Sequence, residues 1–96
     1  MAYTHVSRLT TTSDQVFETV EDFIEFHGSI GELNPLVADF QSELEEGGRS
    51  IIRTMVYNHI DDRESHKLQH GFDGADEDDF TPPGKQYTAS FISISE

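Results

Sequence analysis

The segment Gln86-Tyr87-Thr88-Ala89-Ser90-Phe91-Ile92-Ser93-Ile94-Ser95 is rich in β-branched and aromatic residues and follows a Pro82-Pro83-Gly84 turn signal. It reads as a strand. A strand needs a neighbour to satisfy its backbone and an apolar layer to cover one face. The chain is therefore committed to a sheet with something packed on it, and the other segments must supply both.

They do so in a recognisable order. Tyr3 to Thr10 alternates, with Tyr3, His5, Ser7 and Leu9 on one side, which suits a first strand. Thr11-Thr12-Ser13-Asp14 reads as a helix start, with Thr12 and Gln15 at capping-box spacing. Val16, Phe17, Val20, Phe23 and Ile24 then form one apolar helical face, ending near Phe26 or His27 before Gly28. Gly28-Ser29-Ile30-Gly31 breaks the pattern, and a short turn of helix before Asn34-Pro35 completes a helix pair. From Leu36 the period becomes two, with Leu36, Ala38, Phe40, Ser42 and Leu44 on one face. Glu45-Glu46-Gly47-Gly48 is a hairpin turn. The strand from Arg49 to Asn58 puts Ile51, Arg53, Met55 and Tyr57 on one face and Ile52, Thr54 and Val56 on the other. Asp61-Asp62 turns the chain, and Arg63 to His70 reads as a polar strand. The acidic run Asp73–Asp79 is expected to be a loop or a poor edge strand. Residues 1–96 make one α+β domain, an antiparallel sheet packed against the helix pair that lies between its first two strands.

Composition narrows the partners. Nineteen Asp and Glu against six Lys and Arg give a net charge of −13. Such a field repels nucleic acid and anionic membrane, so neither is an expected partner. A solvated surface, a dock for a basic partner and cation binding remain open. No cysteine is present, which removes disulfides and thiolate metal sites. No apolar run is long enough for a membrane span and no signal peptide is evident, so the expected compartment is the cytoplasm. Hydrophobic residues make up 34%, below the roughly 45–50% of globular chains (a figure that counts Gly). Seven Phe and three Tyr nevertheless argue against disorder.

The layout resembles the START-like helix-grip superfamily (SRPBCC), and within it the polyketide cyclase/dehydrase-like proteins. The likeness runs from about His5 to Ser95. It is carried by Thr12–Phe23 after the first strand, Asn34-Pro35-Leu36-Val37, Gly47-Gly48 followed by Arg53-Thr54, Arg63-Glu64, and Pro82–Phe91. The resemblance implies a curved antiparallel sheet wrapped around a helix, with a hydrophobic cavity for lipid- or polyketide-like molecules. The family continues with a further strand and a long C-terminal helix, so a truncated helix-grip is expected here. A second copy of the chain would cover the exposed face, making a homo-oligomer.

Individual residues carry less. In a strand, His66 and His70 lie about 13 Å apart, too far for one metal ion; on a helix they would suit zinc. The acids of Asp73–Asp79 are out of order for a calcium loop. No metal or cofactor is expected. Arg53 either faces an apolar pocket, where it could orient a ligand carboxylate or carbonyl, or faces solvent and pairs with Glu43 or Glu45. Tyr87, Ala89 and Phe91 share a face, for core packing or pocket lining. No activated nucleophile and no phosphate loop is present. The expected ligand-contacting set is Phe40, Arg53, Met55, Tyr57, His66, Tyr87 and Phe91. Three functions compete: binding of a small hydrophobic ligand without covalent chemistry, a cyclase- or dehydratase-like enzyme using His66, Tyr57 or Arg53, and an interaction module using the acidic face or the terminal strand.

Overall fold

The computed structural model describes residues 2–70 and 79–96, without the side chain of His70. The strand β1, Tyr3–Thr11, buries every odd-numbered residue, as its alternation requires. It lies at the centre of an open sheet of order β2-β3-β1-β4. Here β2 is Asp39–Leu44, β3 is Ser50–Tyr57 and β4 is Tyr87–Ser95. Every pairing is antiparallel: β1 meets β3 from Tyr3↔Tyr57 to Thr10↔Ser50 and β4 from Thr11↔Tyr87 to Thr4↔Ser95. A bulge at Val6/Ser7 shifts the second register, which adds twist near the end of an edge strand.

The hairpin joining β2 and β3 forms where expected. The Glu45 carbonyl accepts from the Gly48 amide at 3.1 Å, with Gly47 and Gly48 at positive φ. Gly48 is also where the chain from β1 docks, since its carbonyl accepts from the Phe17 amide at 2.8 Å. That contact displaces the helix start. A helix begun at Ser13 would send the Phe17 amide to the Ser13 carbonyl. Instead Arg49 Nη1 donates to the Ser13 and Gln15 carbonyls at 2.6 and 3.0 Å. The helix α1 runs only over Val20–His27, capped by Thr19, whose hydroxyl accepts from the Asp22 amide at 3.1 Å. Val16, placed on the apolar face by periodicity, is 64% exposed, whereas Phe17 and Phe23 are buried.

Three further expectations are corrected. Arg63–His70 is not a strand but part of α2, Ile60–His70. Asp61 and Asp62 occupy its first turn, where the helix dipole favours acids. Arg63 and His66, three residues apart, are its buried side chains. The second helix therefore lies between β3 and β4, and one helix, not a pair, separates β1 from β2. The sheet is also uncurled rather than curved. Because β1 and β2 both run antiparallel to β3, they run parallel to each other, with β3 inserted between them. This split β-α-β unit, followed by α2 and β4, is the β-α-β-β-α-β order of ferredoxin-like topologies.

Both helices serve one face. Leu9, Phe17, Phe23, Ile30, Ile51 and Tyr87 form one core cluster, and Tyr3, Met55 and Tyr57 a second beside it. Phe40 packs against both. On the opposite face Val6, Thr54 and Val56 are only half-buried. Among the described residues no helix is long and apolar enough to cross a membrane. Of the acidic run, Asp73 to Asp78 lie outside the described residues.

Candidate functional site

A cavity of about 740 Å³ lies on the inner face of the sheet. Its floor comes from His5 and Ser7 of β1, Arg53 of β3 and Tyr87, Ala89 and Phe91 of β4. Arg63, His66 and Gln69 of α2 close one side. The loop after α1, with Ile30, Leu33 and Pro35, and the turn carrying Phe80, Pro82 and Lys85 complete it.

The loop sits close because of Gly31. Its φ is +115°, and a Cβ there would stand 2.9 Å from Met55 Sδ, so only glycine brings this loop onto the sheet. The loop is then fastened at Ile30. Its amide donates to Glu32 Oε2 at 2.7 Å and its carbonyl accepts from Arg53 Nη1 at 2.7 Å. Arg53 Nε donates to the Ser7 hydroxyl at 3.2 Å. Of the two alternatives for Arg53, the inner face is the one observed, and Glu45 pairs instead with Arg8 at 2.6 Å. Burial pulls the Arg53 guanidinium down to about 10. The Tyr87 phenol is pushed up, chiefly by burial and against the pull of Arg53.

Behind the cavity wall is a polar seam. Tyr57 Oη and His66 Nδ1 are 2.7 Å apart, and both residues are buried. Arg63 Nη2 donates to His5 Nε2 at 3.1 Å; a guanidinium only donates, so that ring nitrogen accepts. The Arg63 guanidinium also stands 5.8 Å from the centroid of the Tyr57 ring, within cation–π range. Lys85 Nζ donates to the His27 carbonyl at 3.2 Å, tying the Pro82-Pro83-Gly84 turn to the end of α1.

Of the seven residues expected at a ligand site, Arg53, His66, Tyr87 and Phe91 line the cavity. Met55 and Tyr57 are fully buried in the core, and Phe40 is packing between the clusters. Tyr57 touches two lining residues, His66 through its hydroxyl and Arg63 over its ring. His5, Ser7, Arg63 and Lys85 were not singled out as cavity residues, although His5 and Ser7 share the alternating face of Tyr3 and Leu9. The helix places positions 66 and 70 one turn apart, but the His70 side chain lies outside the described residues. Among the described residues no three His, Asp or Glu side chains gather to hold a metal ion. The arrangement can hold a molecule with an apolar body and hydrogen-bond it through Arg53 and Tyr87. Comparison of the chain with protein-family models, with curated proteins and with solved structures found no match.

Proposed function

We propose that the chain binds a small hydrophobic molecule between its sheet and α2, without covalent chemistry. The observation that carries this reading is the cavity itself. Its volume of about 740 Å³ falls within the range of roughly 300–1,000 Å³ of small-molecule sites. Ile30, Leu33, Phe80 and Phe91 give it apolar surface, and a few polar groups converge on it, the usual composition of such a site. The helix-grip resemblance implies the same class of ligand.

A neutral apolar dye, N-phenyl-1-naphthylamine, tests the reading. Saturable fluorescence enhancement at one site per chain is expected. Ala89→Trp, which fills the floor, is expected to weaken it at least tenfold with the far-ultraviolet circular dichroism unchanged. Absence of saturable binding, or binding unaffected by the filled floor, rejects this site.

A second reading concerns self-association, and β4 favours it. This strand is at the sheet edge, and Phe91, Ile92 and Ile94 are each more than a third exposed. Phe80 bridges its outer edge at Ala89, but the segment from Phe91 onward has no such neighbour among the described residues. Pairing with a second copy would cover it. Light scattering at high concentration is expected to give a dimer that persists in salt; a monomer at all concentrations rejects the pairing.

A further inference from the structure

The chain carries few cations, and the cavity collects them. Three of its six Lys and Arg residues, Arg53, Arg63 and Lys85, line the cavity. Of its nineteen Asp and Glu residues, none among the described ones does. Acids outnumber bases about three to one in the chain (19 against 6), so the described part of the lining is opposite in charge to the whole.

Two of these cations are held by neutral groups. Arg53 donates to the Ser7 hydroxyl and the Ile30 carbonyl, and its Nη2 makes no hydrogen bond to a described residue. Glu32, on the adjoining loop, is occupied by the Ile30 amide. Lys85 donates to the His27 carbonyl. Neither forms an ion pair with a described carboxylate. The Arg53 guanidinium is partly withdrawn from water, which is unfavourable for a cation, and its depression to about 10 reflects that burial, with the nearby Glu32 carboxylate pulling weakly the other way. A negatively charged occupant would reverse the penalty. The planar guanidinium fork suits a carboxylate, and the compact ammonium adds a point charge.

We propose that the occupant is an organic carboxylate, its oxygens turned to Arg53 and Lys85 and its apolar body against Leu33, Phe80 and Phe91. This rests on the ligand-binding reading above and names the class of ligand. Calorimetric titration of the full chain with octanoate, 1-octanol, octylamine and inorganic phosphate tests it. Octanoate is expected to bind at least tenfold more tightly than octanol, with octylamine weakest. Phosphate, which has the charge without the body, is expected to bind at least tenfold more weakly than octanoate. Octanol binding as tightly as octanoate, or phosphate matching it, overturns the proposal. Arg53→Met and Lys85→Met are each expected to lower octanoate affinity at least fivefold and to narrow its preference over octanol. Lys85 lies on a turn, so its variant tests the idea even if Arg53→Met fails to fold. An undiminished octanoate preference in the Lys85 variant removes the assigned role. If the neutral dye binds and octanoate is not preferred, the carboxylate inference alone fails. If nothing binds, the cavity is not a ligand site and both fail.

Discussion

His27 is a polar side chain in an apolar place, and replacing it is expected to stabilise the protein. Its ring is 6% exposed and packs against Phe23, Phe26, Tyr87 and Phe17 with centroids 4.4, 4.9, 5.5 and 5.7 Å away. Neither ring nitrogen has a hydrogen-bond partner among the described residues. Leaving buried polar atoms unsatisfied costs about 1–3 kcal/mol. His27→Leu removes them at similar volume and forfeits aromatic contacts worth about 1 kcal/mol. The balance is a gain of about 1 kcal/mol at neutral pH, or about 4–8 °C in Tm for a domain of this size.

The same substitution has a pH signature. Burial, followed by the nearby Lys85, holds the His27 imidazole below its ordinary range. Above about pH 6.5 the ring is neutral in both folded and unfolded chains. As the pH falls below that value, the unfolded chain takes up a proton that the folded one refuses. Stability is therefore lost on acidification toward the depressed folded value. The advantage of His27→Leu should grow between pH 7 and pH 5. Thermal melts of both proteins across this range measure the difference, in which the other histidines cancel. A variant less stable at pH 7, with the pH dependence of the parent, would show that the His27 ring is well satisfied and refute the reasoning.

Four other substitutions probe the fold. Gly48→Ala must hold a φ of +70° and place its Cβ into the Phe17 carbonyl, so a loss of about 3 kcal/mol is expected in urea denaturation; a loss below 1 kcal/mol would show that the 12–19 segment moves away freely. Leu9→Ala empties a fully buried position and should cost about 3 kcal/mol, read as a lower urea midpoint with an unchanged slope. Thr19→Ala removes the cap on the Asp22 amide and should cost about 1 kcal/mol, whereas Thr12→Ala, outside the helix, should leave helix content unchanged by circular dichroism.

The contrast between Thr12 and Thr19 marks where local pattern stops being informative. Thr12 with Gln15 has capping spacing, but the Arg49 side chain, more than thirty residues away, takes the carbonyls a helix there would have used. Residues 63–70 failed for another reason. A hydrophobic period reveals a helix only if its buried face is apolar, and α2 buries Arg63 and His66. At the site, Arg53, His66, Tyr87 and Phe91 were legible because three of them share strand faces and His66 is a conspicuous polar group. Arg63 and Lys85 were not, because nothing near them in the chain points to a cavity.

By itself the sequence placed the four observed strands, beside a fifth that is a helix in the structure, divided β1 and β3 into two faces, and marked both glycine- or proline-containing turns and the end of α1 at Gly28. Each depends on a period of two or on backbone preferences that act over a few residues. Only the tertiary structure decided that β1 lies between β3 and β4, that α2 is a helix, and that Arg53, Arg63 and Lys85 meet around one cavity. Those outcomes depend on contacts between residues far apart in the chain, whose energies no local pattern records.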